Sequence, residues 1–136
     1  MVKTTQQTQE TLKMKRYKAI KQVSQHSPGV SSHNTCFANT NSKTNICWFD
    51  IPSTKRLKNA QINLLIYDRE NHSLFHLEFS AEYLNDHLSS VYIRPDNKSV
   101  TLYLSMNESN RFQDIHSCGD KINFKYFLRD EYPDLN

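Results

Sequence analysis

Aromatic and cationic side chains fall on one face of a predicted sheet, and this face carries the strongest chemical signal in the chain. Apolar residues occupy every second position of several short segments, which places the other residues of those segments opposite the core. Rings can stack on unpaired bases while lysine and arginine contact phosphates, so this mixture suits single-stranded nucleic acid. The residues on this face are predicted to be Tyr92, Arg94, Tyr103, Lys121 and Lys125, with His76 and Phe127 beside them.

Two readings of this face stay open. A second layer packed over it, such as the N-terminal helix, would make the same rings part of a core. The segments also lack the glycine and aromatic signature of the common RNA-recognition sheet.

The N-terminal 25 residues are strongly basic. They hold six cations against Glu10 alone, so they carry +5 of a chain whose net charge is +3 and leave −2 for the rest. Such an arm suggests an anionic partner, nucleic acid first, although a solvated helix face has the same composition. The candidate phosphate contacts are Lys13, Lys15, Arg16, Lys18 and Lys21 in the arm, and Lys55, Arg56 and Lys58 in a later turn.

Metal and nuclease chemistry has weaker support. Structural zinc normally shows ligand pairs two to four residues apart, and the chain offers only His116-Ser117-Cys118 and the separate Cys36 and Cys47. A metal-dependent nuclease would need converging carboxylates with a lysine or histidine nearby. The candidates for that role are Asp50, Asp68, Glu70, His72, Glu78, Asp114 and His116. Acidic turns beside strands are usually solvated, so we assign no catalytic residue and no metal ligand.

Composition argues against several other classes of protein. With two glycines in 136 residues, the chain has no phosphate-cradling glycine loop and no nucleophile elbow. We therefore expect no cofactor and lean towards a protein that is not an enzyme. Three cysteines without a signal-peptide pattern predict reduced thiols and a cytoplasmic location. The longest apolar stretch is too short to span a bilayer, so no membrane association is expected.

The elements that must position these residues indicate an α+β fold. Strands joined by short turns predict an antiparallel β-meander of about five to six strands, with an N-terminal helix and one or two short helices packed on the sheet. The predicted organisation is a basic helical arm (1–25), a polar linker (26–45), a globular domain (46–130) and a polar tail (131–136). The predicted strands are 46–51, covered on both faces, then 61–68, 73–79, 91–94, 99–104 and 121–128; the predicted helices are 9–23, 53–59, 81–88 and 107–113.

Two functions from different classes follow. One is a small nucleic-acid-binding module that uses the basic arm and the aromatic and basic sheet face. The other is a protein-binding module, such as an inhibitor, an immunity-type factor or an accessory subunit, that occupies a surface of a larger partner, including one that processes nucleic acid. A homodimer formed through an edge strand is compatible with both.

Overall fold

One helix and two β-sheets stack as three layers in the computed structural model, which describes residues 13–116 and 122–133. The first sheet has the strand order β1-β3-β4-β7 and the second the order β2-β6-β5. The strands are β1 (Thr35–Asn39), β2 (Ile46–Ile51), β3 (Gln61–Asp68), β4 (Ser73–Ser80), β5 (Tyr92–Ile93), β6 (Val100–Ser105) and β7 (Leu128–Tyr132). The α-helices are α1 (Arg16–Ser24), α2 (Ser53–Lys58) and α3 (Ala81–Asp86), and short 3₁₀ helices cover Leu88–Ser90, Glu108–Asn110 and Phe124–Phe127.

The main core lies between the two sheets. Alternate residues of β3 and β4 point from the first sheet towards the second, where they meet the inward side chains of β2 and β6. The inward side chains include Ile62, Leu64, Ile66, Phe75, Leu77, Phe49 and Leu102, all of them buried. Burial of this apolar surface is the main contribution that holds the sheets together.

A second core lies on the other face of the first sheet, under α1. Ala19 and Val23 of the helix pack on Leu65, Tyr67 and Leu74 of the sheet. Because β3 is covered on both faces, its residues from Ile62 to Asp68 are all buried. The few apolar residues of α1 could not hold an isolated helix of this length, so its stability depends on this contact.

The α+β class is confirmed, and so are the bounds of β2 and β3. β4 extends one residue beyond the predicted strand, and α3 is shorter than predicted. Ser80 caps α3, since its hydroxyl accepts a hydrogen bond from the Tyr83 backbone N–H at 3.0 Å. None of the helices in the described ranges is long and apolar enough to cross a membrane.

The mainly antiparallel arrangement of short strands is confirmed, but the strands are divided between two sheets, and the interval 26–45 contains one of them. Two sheets form, and β1, inside the interval 26–45, pairs in parallel with β3. Cys36 joins the core between the sheets while Phe37 packs on the side of α1. A five-residue strand with two such anchors is hidden in a polar sequence because its contacts come from distant parts of the chain.

The C-terminal strand also lies later than the sequence suggests. In place of a strand over 121–128, the chain forms the 3₁₀ helix Phe124–Phe127 and then β7, which takes in the first residues of the predicted tail. The Asn123 side chain accepts from the Lys125 N–H at 2.9 Å and starts this helix. Three-residue periodicity brings Phe124 and Phe127 to one side, where both pack on Phe79.

Candidate functional site

The outer face of the second sheet collects aromatic and polar side chains from three strands. In the antiparallel pairs of this sheet, Trp48 lies opposite Tyr103, and Thr101 lies opposite both Asp50 and Tyr92. Directly opposed residues share a face, so all five side chains stand away from the core. The prediction that β2 is covered on both faces is therefore wrong. Its Cys47 and Phe49 are buried, but Trp48 is 59% exposed.

Four rings form a continuous series on this face, which we call the aromatic row: Trp48, Tyr103, His116 and Tyr92. The Trp48 and Tyr103 centroids are 5.5 Å apart in a T-shaped contact. The His116 ring lies 4.5 Å from Tyr103 and 4.5 Å from Tyr92, nearly parallel to the latter. These spacings are typical of favourable aromatic pairs, so the row is a preformed surface.

A polar group adjoins the row. Thr101 Oγ1 donates to Asp50 Oδ1 at 2.5 Å, and the Arg94 guanidinium lies 3.5 Å from Asp50 and 3.3 Å from Asp96. Arg94 and Asp50 remain more than a third exposed, so these ion pairs are screened by solvent. The positive charge of Arg94 is therefore already balanced locally by carboxylates.

The segment 113–116 brings His116 into the row. It runs beside the end of β6, where the Ile115 N–H donates to the Tyr103 carbonyl at 2.8 Å. Asp114 fixes this arrangement, since its Oδ1 accepts from the backbone N–H groups of Tyr103 and His116, each at 3.1 Å. Burial raises the pKa of Asp114, because the charged carboxylate would lose its water.

A separate group of cations surrounds the loop before β1. Arg16 donates from one guanidinium nitrogen to the carbonyls of Ser32 and Thr35, at 3.0 and 2.9 Å. The Lys55 ammonium donates to the carbonyls of Ser32 and His33, at 3.0 and 3.2 Å. Lys55 and Lys58 line a surface depression together with Ser32 and His33. The structure thus joins Arg16 of the arm to Lys55 and Lys58 of the later turn, which we call the cationic cluster.

The other predicted phosphate contacts are dispersed. Lys13, Lys15, Lys18 and Lys21 are exposed in or just before α1. This helix covers the first sheet, so two sheets separate it from the aromatic row. Lys125 is exposed and lies over the Tyr126 ring, while Lys121 falls outside the described residues.

The prediction that Arg56 contacts phosphate is wrong. Its guanidinium is buried and donates to Asn85 Oδ1 at 2.8 Å and to the Lys98 carbonyl at 2.9 Å. These bonds connect α2 to α3 and to the turn before β6, so Arg56 has a structural role and is not available to a phosphate. Helical spacing explains the difference, because Lys55 and Arg56 point to different sides of α2.

His76 and Phe127 do not share a solvent-facing surface with Tyr92 and Tyr103. His76 is fully buried in the first sheet, and its Nε2 lies 2.7 Å from Asn63 Oδ1. Phe127 packs on the core and on the Tyr83 ring. Tyr92 and Tyr103 stand on the outer face of the second sheet, His76 lies in the first sheet, and Phe127 packs on the core, so the single outward face predicted from the sequence does not form.

The buried His76 predicts a pH dependence of stability. Burial lowers its pKa and the charge of Arg129 adds to this, while Glu78 and Asp130 have smaller effects in the opposite direction. Because burial favours the neutral ring, protonation would place a charge in the core. Below about pH 6.5 the unfolded chain takes up the proton first, so the free energy of unfolding should fall, by at most ~1.4 kcal/mol per pH unit. Urea denaturation of the protein and of His76→Gln should show a smaller decline in the variant; equal declines would exclude His76 as the cause.

The metal and nuclease candidates do not converge. Among residues 13–116 and 122–133, no group of three or more histidine, cysteine or acidic side chains could hold a metal ion. Asp68 accepts from the N–H groups of Glu70 and Asn71 and from the Asn71 amide, and so closes the turn between β3 and β4. Cys36 and Cys47 are free buried thiols.

Sequence reasoning brought Tyr92, Arg94 and Tyr103 together correctly but missed Trp48 and His116 as their neighbours. Alternation within 46–51 could have revealed Trp48, because Cys47, Phe49 and Ile51 fit one face of a strand. No sequence signal places His116, which depends on an irregular segment. Comparison with protein-family models, with curated proteins and with solved structures gives no match to this chain.

Proposed function

We propose that this protein binds single-stranded nucleic acid, with unpaired bases stacking on the aromatic row. The observation that carries this proposal is the row itself, in which the half-buried Tyr103 packs edge-on against the exposed Trp48 and the half-buried Tyr92 stacks on His116. Every base has an aromatic face, so such a row can bind without strong sequence preference. Rings held by their neighbours lose little conformational entropy on binding, which favours affinity.

The cationic cluster supplies a place for the phosphates near one end of this surface. β2 is an edge strand of the second sheet, and β1, an edge strand of the first, contacts it. The Cys36 thiol of β1 reaches the Asp50 carbonyl at 3.9 Å, and its pKa, raised by burial to about 11, responds also to the charges of Lys55, Arg16 and Asp50. The cationic cluster and Asp50, which adjoins the aromatic row, therefore lie on either side of the edge where β1 and β2 meet.

Trp48 provides a direct test because it is the sole tryptophan of the chain. Titration with an oligothymidine should quench its fluorescence, and an abasic strand of the same length should bind more weakly and quench little. Trp48→Ala should weaken binding of oligothymidine by about 5- to 150-fold, the range for loss of one stacked base. Tyr17→Ala, which removes an exposed ring from α1, is the matched control and should change the affinity little.

The same two oligonucleotides also show which results would contradict the proposal. Equal affinity for oligothymidine and for the abasic strand, without a change in fluorescence, would mean that bases do not contact the row. Absence of binding to any single strand at ~50 mM salt would overturn the proposed function as a whole.

A protein partner is the second candidate, and the charge balance of the row favours it. Arg94 is already paired with Asp50 and Asp96, so this end of the row has no excess positive charge. An exposed tryptophan next to a tyrosine is typical of interface residues that dominate binding energy. If Trp48→Ala abolished assembly with a purified larger protein and left binding of oligothymidine unchanged, this second function would replace the first.

A further inference from the structure

We infer that the cationic cluster is a phosphate-binding site, with the ligand seated in the depression between the loop before β1 and α2. This depression has a volume of about 450 Å³. Its lining residues are Ser32, His33, Thr54, Lys55, Lys58 and Asn59, and none of them is acidic. We call it the phosphate pocket.

Two positive charges are held close together around Ser32, one of the residues that line this pocket. Arg16 Nη2 and Lys55 Nζ each lie 3.0 Å from the same Ser32 carbonyl oxygen, so the two nitrogens are at most about 6 Å apart. That separation is shorter than the screening length of ~8 Å at physiological salt, so the two charges repel each other. A carbonyl is a dipole without net charge and relieves this repulsion only in part. An anion in the pocket would relieve it directly.

Carboxylates of residues 13–116 and 122–133 do not pair with these charges. Ion pairs within 4.0 Å form at Arg94 and Arg129, and neither residue belongs to this cluster. Arg16, Lys55 and Lys58 therefore have no carboxylate partner among the described residues. An uncompensated group of cations is the electrostatic arrangement expected of an anion site and not of a structural salt-bridge network.

The pocket is also organised before a ligand arrives. The Lys55 ammonium uses two of its three N–H donors on the carbonyls of Ser32 and His33, which leaves one donor free. The Asn59 amide donates to the carbonyls of His33 and Lys55, at 3.1 Å each, and so ties α2 to the same loop. Little ordering cost remains when a ligand binds, while the Lys58 ammonium and the Thr54 hydroxyl add further donors.

A phosphate group fits this donor set better than a carboxylate does, because several cations and hydroxyls can each meet a different oxygen. The group could be a terminal phosphate monoester or a backbone phosphodiester. The inference rests on the proposed function only in assigning this phosphate to a nucleic-acid strand. Phosphate binding itself follows from the cationic cluster alone.

The first experiment uses inorganic phosphate as the probe. Its titration into the ¹⁵N-labelled protein should shift amide resonances of Ser32, His33, Thr54, Lys55 and Asn59 in a saturable way. The double variant Lys55→Gln, Lys58→Gln should weaken this binding roughly tenfold or more. Lys18→Gln, Lys21→Gln removes the same charge from α1 and is the matched control, for which the affinity should stay within about twofold. Shifts spread evenly over all lysines, or equal losses in both double variants, would overturn the inference.

The second experiment separates the two sources of phosphate. Oligothymidine with a 5′-phosphate and oligothymidine with a 5′-hydroxyl are compared for the protein and the Lys55→Gln, Lys58→Gln variant. Preference for the phosphorylated strand, lost in the variant, assigns the pocket to a terminal phosphate. Equal weakening of both strands assigns it to the backbone. If phosphate causes saturable shifts but neither strand binds, the phosphate pocket is upheld and the proposed function is overturned. If both strands bind the variant as tightly as they bind the unaltered protein, the pocket has no part in strand binding.

Discussion

Phe112→Ala is expected to lower the free energy of unfolding by about 3–5 kcal/mol, because it removes a ring from the core between the sheets. The Phe112 side chain is 2% exposed and meets the Phe75 ring edge-on at 5.3 Å. Its backbone has φ of 67°, in the left-handed region that bulky residues rarely adopt. Alanine would keep the strain of a β-carbon in that conformation while losing the packing that compensates for it.

This substitution should also disturb the aromatic row. The Phe112 N–H donates to the Ser105 carbonyl at 2.6 Å, and its own carbonyl accepts from Phe124 at 2.9 Å. These bonds are made by the Phe112 main chain, and the buried ring holds that main chain in place, so loss of the ring should loosen the segment leading to His116. Urea denaturation measures the loss of stability, and amide exchange of Ile115 should accelerate. Leu57→Ala, at a site 75% exposed, is the control and should change the free energy of unfolding by less than ~0.5 kcal/mol. A loss below 1 kcal/mol for Phe112→Ala would show that the ring is not needed to anchor this segment.

Asp114→Ala is expected to lower the free energy of unfolding by about 2–4 kcal/mol, because two backbone donors would lose their acceptor. The Tyr103 and His116 N–H groups both donate to Asp114 Oδ1. Asp114→Asn keeps an oxygen that can accept these bonds and should cost less than the alanine variant. The ordering of the two variants in urea denaturation checks whether the acceptor or the volume of the side chain matters; equal losses would argue against the acceptor.

The raised pKa of Asp114 also predicts how the free energy of unfolding changes with pH. The pKa of Asp114 is raised by burial from its ordinary value of 3.8, although hydrogen bonds from Tyr103 and His116 oppose this. The folded protein therefore holds the proton more tightly than the unfolded chain does. The stabilisation from this carboxyl is complete below pH 3.8 and is lost as pH rises through the folded pKa. Relative to the wild type, Asp114→Asn should gain stability between pH 4 and the folded pKa, and a constant difference would contradict the assignment.

The separation of the cationic surfaces bears on how the protein would bind a strand. The exposed lysines of α1 and the aromatic row lie on opposite outer layers, so a short strand on the row would not reach all of them. Arg16, at the first residue of α1, is the point where the basic arm meets the loop before β1. We therefore expect Lys55→Gln, Lys58→Gln to reduce the salt dependence of strand binding more than loss of the α1 lysines does.

Sequence patterns alone determined the α+β class and the strands with regular alternation. In β3, β4 and β6 the residues that face the core between the sheets recur at every second position, and this periodicity is local information. The same periodicity placed Tyr92, Arg94 and Tyr103 on one face, and the pairing of β5 with β6 and the contact of Arg94 with Asp50 agree with this. The basic arm was equally plain, because charge composition needs no knowledge of the fold.

Tertiary structure alone decided how these elements meet. The parallel pairing of β1 with β3, the division into two sheets and the position of His116 beside Tyr92 all depend on contacts between residues far apart in the chain. Long-range pairing overrides local preference, so the polar segment that contains β1 became a strand while the alternating segment after Lys121 became a 3₁₀ turn. Arg16 and Lys55 also meet at the Ser32 carbonyl only in the folded chain. The sequence shows which residues are charged but not which of them lie close together.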